Sequence, residues 1–269
     1  MITLEGQRWV RMFLANEVET LGESVAFGIG STAPTTTDRD LEYEVMRSPI
    51  SFRSYDPLTG EVVLRTPVPT DMAARLTEVG LWANANDNDG TAESQQLLVF
   101  DDSLEAWTTP GTFVDSSRIG NRSLQITANG TSEVDTDGLS LSQFGNGDRF
   151  ALAIGGSFTG STTLGVRFLT DSSNYYSYSI SVTAGSTVRR FEKADASITG
   201  NPTWDAINKI QFITSSSSSL NMRLEGLRVI NADNAAANYV LIARQVVAPL
   251  VVDPARTSEM ELRIGVSVS

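Results

Sequence analysis

The sequence predicts an all-β protein: a small β-rich attachment domain interrupted by an inserted jelly-roll β-sandwich. Short alternating runs with turn residues between them recur along most of the 269 residues. Predicted helix is confined to residues 7–21, where apolar residues recur at helical spacing, and to short turns at 38–44 and near Trp204. The third observation is a strand pattern that stops near residue 83 and resumes near residue 239.

The interruption defines the domain organisation. Leu76–Ala83 has the pattern of a strand that needs a following partner, but a polar run at 84–93 comes next. The strand pattern that would pair with it, Tyr239–Arg244, comes only after a self-contained block. We therefore predict that 76–83 and 239–246 lie side by side. The attachment domain then comprises 1–96 and 236–269, and the inserted domain comprises 97–235.

The attachment domain has few other elements. Val25–Gly30 is predicted to be a strand and 38–44 a short turn of helix. Strands at 50–55 and 61–66 form a hairpin, because the Asp-Pro-Leu-Thr-Gly segment between them presets φ at its proline and reverses at its glycine. Residues 260–268 form the closing strand.

The inserted domain alternates strands and turns throughout. Alternation is clearest in residues 176–182, where aromatic or aliphatic residues face one side and serines the other. The serine run 215–219 is interpreted as a hairpin loop, and Asp135–Gly138 as a turn. The predicted strands are 123–128, 149–157, 163–169, 175–182, 188–192, 207–214 and 220–230.

Composition excludes several functions. A net charge of −12 and a pI near 4.5 argue against nucleic acid and against anionic membrane surfaces. No apolar run approaches the length of a membrane helix, and residues 1–5 do not resemble a signal peptide. Without histidine or cysteine, Ser-His and Cys-His catalysis and His-ligated metals are impossible.

Any catalysis would therefore depend on carboxylates, lysine, tyrosine or an oxygen-ligated cation. A glycosidase needs two that face each other, and nothing in the sequence places Asp171, Asp195 and Asp205 in that way. We predict that the protein is not an enzyme. A carboxylate-dependent glycan depolymerase remains the alternative.

Two resemblances add to this interpretation. Phe27–Thr35, Asp40, Leu41 and Arg47, followed by Thr77–Trp82, resemble attachment domains of tailed-bacteriophage tail fibres, baseplates and head fibres. The resemblance covers about 20–83 and extends to 239–269, and the long insertion after Trp82 departs from it. It implies a virion component that assembles as a homo-oligomer with other virion proteins.

The inserted domain has a resemblance of its own. The Asp-Asp-Ser-Leu-Glu-x-Trp opening at 101–107, the segment 170–176, and the closing segments 204–210 and 224–229 resemble concanavalin-like and carbohydrate-module jelly rolls. Glu225 stands where an aspartate is frequent in these folds. The resemblance specifies a fold more closely than a ligand.

Three sets of side chains are candidate sites. Tyr175, Tyr176 and Tyr178 are the candidate ligand-binding rings for a host-surface glycan. Because residues alternate along a strand, the alternative is that Tyr176 and Tyr178 are core and Tyr175 is a surface ring. The other candidates are Asp101, Asp102 and Glu225 as a structural calcium site rather than solvated carboxylates, and Trp9 and Trp82 as oligomer or virion contacts rather than core.

The sequence as a whole predicts a tailed-phage structural component, assembled in the bacterial cytoplasm and located in the virion. The split domain docks on the particle, and the jelly roll is displayed for contact with glycan or with another fibre. A head decoration or spike base that binds no sugar is the structural alternative. No cofactor is predicted apart from the calcium site.

Overall fold

The structure, a computed structural model, describes residues 1–68, 73–84, 94–102, 104–109, 112–115, 117–126, 129–158, 160–185, 187–215, 221–231, 239–255 and 258–265. The predicted segments 85–93, 216–219, 233–238 and 266–268 lie outside these residues. The chain divides into two compact units, a first unit of residues 1–88 and 235–269 and a second unit of residues 89–234. Whether either unit folds alone stays a prediction.

Strands dominate both units, and the all-β class is confirmed. The elements are α1 (Leu4–Leu14), β1 (Ser24–Gly28), β2 (Glu44–Pro49), β3 (Phe52–Asp56), β4 (Glu61–Val68), β5 (Ala74–Asn84), β6 (Ser94–Leu98), β7 (Ala106–Thr109), β8 (Thr112–Val114), β9 (Ser123–Gln125), β10 (Thr131–Leu139), β11 (Arg149–Gly156), β12 (Ser161–Asp171), β13 (Asn174–Thr183), β14 (Val188–Glu192), a 3₁₀ turn (Lys193–Asp195), β15 (Ser197–Thr199), β16 (Ile207–Thr214), β17 (Met222–Ile230), β18 (Tyr239–Val252) and β19 (Ser258–Gly265).

The described residues of the first unit form two antiparallel sheets. One has the strand order β18-β5-β1-β2 and the other β19-β4-β3. β5 and β18 pair from Tyr239 opposite Asn84 to Val252 opposite Ala74, with two register shifts. The predicted pairing of 76–83 with 239–246 is therefore confirmed. Apolar residues of both sheets, together with Trp9 of α1, form one buried cluster.

Two local predictions for the first unit are wrong. The helix begins after Thr3, whose hydroxyl accepts a hydrogen bond from the Gly6 N–H at 2.8 Å, but it ends at Leu14 instead of continuing to residue 21. It ends there because Asn16 adopts a left-handed conformation, with φ 58°. Residues 38–44 form no helix, and Glu44 already begins β2. Among the described residues, no helix is long and apolar enough to span a bilayer.

The second unit is a jelly-roll β-sandwich. One sheet has the order β15-β13-β12-β16-β10-β7, and the other has the order β14-β11-β17-β9-β8, with β6 also paired to β17. Alternate residues of both sheets point inward and form a continuous core. Phe150 of β11 stacks on Phe168 of β12 with ring centroids 4.6 Å apart.

The strands β2, β6, β7, β8, β10 and β15 were not predicted, and β10 is the longest of them. Asp135–Gly138 was interpreted as a turn, but it lies within β10, which pairs with both β16 and β7. Asp137 and Gly138 have φ values of 46° and 77°, and the register with β16 shifts between Asp135 and Leu139. The Asp-Gly pair is thus an irregularity inside a strand. Only Val134 of β10 is fully buried, so the alternation was too weak to detect.

Candidate functional site

A groove lies on the outer face of the sheet that contains β10, β12, β13 and β16. It encloses about 370 Å³ and combines one aromatic ring with charged and amide side chains. The lining residues are Glu133, Arg167, Leu169, Thr170, Asp171, Ser172, Tyr175, Asn208, Lys209 and Gln211.

The strand register aligns these side chains in two rows across the sheet. The first row is Ser177, Arg167, Gln211 and Glu133, and the second is Tyr175, Leu169, Lys209 and Asp135. Residues adjacent to the rows along each strand, such as Val134, Phe168 and Ile210, belong to the core. Because side chains alternate between faces, the rows lie on the opposite, outer face.

Tyr175 and Arg167 form the aromatic part of the groove. The Arg167 guanidinium carbon lies 4.7 Å from the Tyr175 ring centroid, which is cation–π stacking distance. Both side chains are half-buried. The ring is therefore held in place and still reaches the groove.

Glu133 organises the centre of the groove. Its carboxylate accepts hydrogen bonds from Gln211, from Lys209 and, at 3.0 Å, from Thr108. The hydrogen bonds from Gln211 and Lys209 lower the pKa of Glu133, and the hydrogen bond to Glu133 raises the pKa of Lys209. The Lys209 ammonium nitrogen also lies 3.5 Å from a carboxylate oxygen of Asp135. At this end two carboxylates therefore share one ammonium group.

Asp171 forms the turn at the other end of the groove. Its oxygens accept hydrogen bonds from the Ser173 N–H at 2.8 Å, the Asn174 N–H at 3.0 Å and the Asn174 side-chain amide at 2.7 Å. The bond from the Asn174 side chain is the largest cause that lowers the pKa of Asp171. This carboxylate serves to fix the β12–β13 turn.

The three candidate tyrosines divide between the two faces of β13. Tyr176 and Tyr178 are buried, at 8% and 6% exposure, and belong to the sandwich core. Tyr176 stacks on Trp204 with centroids 3.8 Å apart, and the Tyr178 hydroxyl donates to the Lys193 carbonyl oxygen at 2.9 Å. Neither ring can present a face to a ligand, so their assignment as binding residues is corrected. Only Tyr175 lies on the groove.

The structure does not assemble the predicted calcium site. Glu225 is buried and paired with Arg118, while Asp102 pairs with Arg122. Asp101 is also buried, and its carbonyl oxygen accepts the N–H groups of Leu104 and Glu105. Over the described part of the chain, no group of three acidic side chains is placed to hold a metal. Arg118 and Arg122 thus compensate the charges of Glu225 and Asp102 within the chain.

The two candidate contact tryptophans are core residues. Trp9 is 5% exposed, and its indole N–H donates to the Thr20 carbonyl oxygen at 2.9 Å. Trp82 is 1% exposed, and the guanidinium carbon of Arg47 lies over its ring, 4.4 Å from the ring centroid. Both are buried within this chain, so neither is available as a contact surface.

The sequence motifs of the first unit meet in one buried polar network. The Glu78 carboxylate accepts hydrogen bonds from the backbone N–H groups of Gly30 and Glu42 at 3.0–3.1 Å and pairs with Arg244. Arg244 also pairs with Asp38 at 2.6 Å. Burial raises the pKa of Glu78. The pKa of Asp38 shifts in the opposite direction. Burial alone would raise it, but hydrogen bonds from Thr35 and pairing with Arg244 lower it below the usual value.

Comparison with known proteins identifies no family. No family model matches the chain, and neither does any curated protein. Among solved structures, the family 11 carbohydrate-binding module of cellulosomal cellulase Lic26A-Cel5E of Clostridium thermocellum is 10% identical, with a TM-score of 0.35 over 56% of this chain and 95% of that one.

Two further structures give similar values. The C-terminal family 22 carbohydrate-binding module of Clostridium thermocellum Xyn10B is 15% identical, with a TM-score of 0.32 over 54% of this chain and 98% of that one. An agarase, AgWH50C, is 16% identical, with a TM-score of 0.38 over 52% of this chain and 25% of that one. At this level of similarity, function has to be inferred from the geometry of the groove.

Proposed function

We propose that this chain is a non-enzymatic structural component of a tailed-phage particle, a fibre, spike or baseplate protein. The first unit docks on the particle and on copies of itself. The second unit displays a groove that binds a host-surface glycan. The observation that carries the proposal is the groove on β10, β12, β13 and β16, with Tyr175 at one side.

The groove has the features of a saccharide site. It is concave, it offers one aromatic ring, and its polar groups are amide, guanidinium, ammonium and carboxylate groups from adjacent strands. Such a combination supplies a flat apolar surface and directional hydrogen bonds, which a polyhydroxylated ring requires. Because these groups lie on paired strands rather than on flexible loops, they are pre-positioned for a ligand.

Binding without hydrolysis is favoured by the state of the carboxylates. A glycosidase needs one carboxylic acid with a raised pKa to protonate the leaving group. The pKa values of Glu133 and Asp171 are both lowered, by hydrogen bonds from Gln211 and from Asn174 respectively. Both groups are anionic at neutral pH and already hold intramolecular partners, so neither suits the acid role.

The virion role is supported by the resemblance of the first unit and by its interrupted design. The residues that carry the resemblance, among them Gly30 and Glu78, meet in the buried network around Arg244. This network fixes a loop between β1 and β2 against β5 and β18. A unit with a second unit inserted between two of its paired strands suits a protein that attaches through the first unit and displays the second.

The glycan part is tested on an array of bacterial capsule and lipopolysaccharide glycans. The full chain is compared with Tyr175→Ala and with Tyr55→Ala, a control ring in the first unit that is 64% exposed. We expect specific binding that weakens about 10-fold, or 1.4 kcal/mol, only in Tyr175→Ala. Equal binding by all three proteins would remove the groove as the site. Release of reducing ends from a bound glycan would favour the depolymerase instead.

The virion part is tested separately on particles. Antibody labelling of purified phage particles in electron micrographs, together with mass spectrometry of their proteins, is expected to place the chain on a fibre, spike or baseplate. Absence from purified particles contradicts the proposal. Labelling of the head combined with a silent glycan array would select the decoration or spike-base alternative.

A further inference from the structure

Arg167 is the groove charge without a counterion. Among the residues that the structure describes, no carboxylate lies within ion-pair distance of its guanidinium, which stacks on the Tyr175 ring. In the first row of the sheet it is flanked by Ser177 and Gln211, both neutral. A half-buried guanidinium without an anionic partner carries a charge that an anionic ligand can compensate.

The other charged side chains of the groove already have partners within the chain. Glu133 is paired with Lys209, and Lys209 also faces Asp135. The Asp171 carboxylate is held by three hydrogen bonds from Ser173 and Asn174. Among the described lining residues, Arg167 is therefore the charged side chain whose hydrogen-bond donors are left for a ligand, and its charge is positive.

The stacking on Tyr175 leaves the N–H donors of Arg167 available to a ligand. A guanidinium that stacks on a ring uses its face, whereas its five N–H donors point outward in its own plane. The Tyr175 ring thus orders Arg167 without consuming a donor. An ordered guanidinium edge matches the two oxygens of a carboxylate or the oxygens of a phosphate.

Building on the proposed glycan function, we propose that the groove selects an acidic saccharide, one that carries a carboxylate or phosphate group, and that Arg167 binds this anion. Tyr175 plays two parts in this arrangement: it contacts the sugar ring and holds the guanidinium. Selectivity against neutral glycans then follows from Arg167, because only an anionic ligand compensates its charge.

The test uses matched ligands and the full chain. The probes are a β-1,4-glucan oligosaccharide, the same oligosaccharide oxidised at C6 to a glucuronate, and a glycerol-phosphate teichoic-acid polymer, which separates a carboxylate source from a phosphate source. Binding is measured by calorimetry at low and at physiological salt. The proteins are the wild type, Arg167→Met, Arg167→Lys and a control, Arg189→Met, whose half-buried arginine lies on β14 of the opposite sheet.

We expect the wild type to bind at least one acidic probe about tenfold or more tightly than the neutral one, the factor expected for a charge-assisted hydrogen bond. Arg167→Met should abolish this preference, Arg167→Lys should retain part of it because the charge remains, and Arg189→Met should leave it intact. Thermal unfolding of each variant verifies that the protein is folded, and Arg167→Lys keeps the test valid if Arg167→Met does not fold.

The contrary outcomes are distinct. If the neutral probe binds as tightly as the acidic ones and Tyr175→Ala weakens it, the selection of acidic ligands is wrong while the proposed glycan function stands. If an acidic probe is preferred equally by wild type and Arg167→Met, the role of Arg167 is wrong. If none of these probes and no array glycan binds, the glycan function fails and the inference fails with it.

Discussion

Glu78 and Arg244 form a buried ion pair between β5 and β18, although 166 positions separate them in the chain. Glu78 is fully buried and Arg244 is 3% exposed. The pair joins the two strands that lie on either side of the insertion. The pair also binds the loop between β1 and β2. Glu78 accepts a hydrogen bond from the Gly30 N–H, and Arg244 donates to Asp38 and to the Thr32 carbonyl oxygen.

Removal of the arginine from this pair should be strongly destabilising. Arg244→Met leaves the Glu78 carboxylate buried without its cation, which typically costs about 3–5 kcal/mol. The exposed control Arg8→Met, whose arginine lies 3.9 Å from Glu5, should change the free energy of unfolding by less than about 0.5 kcal/mol. Urea denaturation measures both, and the double change Arg244→Met with Glu78→Gln should recover part of the loss. Similar small effects for both single variants would contradict a structural role for the pair.

Gly30 should not tolerate a side chain. A Cβ at this position would lie 2.3 Å from Glu78 Oε2 and 2.7 Å from Glu42 Oε2. Since Glu78 is held by Arg244, it cannot move aside freely, and Gly30→Ala should cost about 1–3 kcal/mol of unfolding free energy. Gly145→Ala, where no atom lies within 4 Å of the new Cβ, is the matched control. An equal melting temperature for wild type and Gly30→Ala would show that the network can adapt.

Substitutions of two tyrosines in β13, Tyr178 and Tyr175, should differ strongly in their effect on the free energy of unfolding. Tyr178→Ala removes a core ring that contacts Phe150 and Phe191, and it should cost about 3–5 kcal/mol. Tyr175→Ala removes a ring on the outer face and should cost below about 1 kcal/mol. Guanidinium unfolding curves of the two variants make the comparison. Comparable losses would contradict the division of these residues between core and groove.

Glu105 should make the second unit sensitive to pH. Its carboxylate accepts hydrogen bonds from the N–H groups of Val99 at 2.5 Å, Phe100 at 3.2 Å and the Trp107 indole at 3.2 Å, and burial raises its pKa from 4.5 to about 7. The folded state therefore binds this proton more tightly than the unfolded state. The stability that this proton contributes is fully present below pH 4.5 and is lost as the pH rises through 7.

The measurement compares wild type with Glu105→Gln between pH 5 and pH 8. The wild type should lose stability relative to the variant with a slope that approaches about 1.4 kcal/mol per pH unit, the value for one proton. Parallel pH profiles of the two proteins would show that Glu105 does not titrate in this range.

Much of the fold could be predicted from the sequence. β14 and β16 were predicted with the correct ends, and β11, β12 and β13 to within two residues, because their alternation reflects a buried face and an exposed face. β10 was missed because it buries one residue fully and carries acids elsewhere. The helix was predicted too long, since a left-handed Asn16 leaves no trace in the spacing of apolar residues.

The candidate site was predicted only in part. Tyr175 was identified, together with the alternative that Tyr176 and Tyr178 are core. The sequence did not indicate Arg167, Lys209 or Glu133, because these residues lie in segments without any local motif. For Arg167 and Lys209 the available signal was the alternation of their predicted strands, which places both on the outer face, but many outward residues share this property. Glu133 lies in the missed strand β10.

By itself the sequence determined that the chain is all-β and that the strands on either side of the insertion are partners, because alternation and interruption are patterns along one dimension. Only the tertiary structure decided that Tyr175, Arg167, Gln211 and Glu133 share a groove. These residues become neighbours through the order β13-β12-β16-β10 and its register. That order is set by which strands bury their apolar faces together, a condition on the whole sandwich rather than on any one segment.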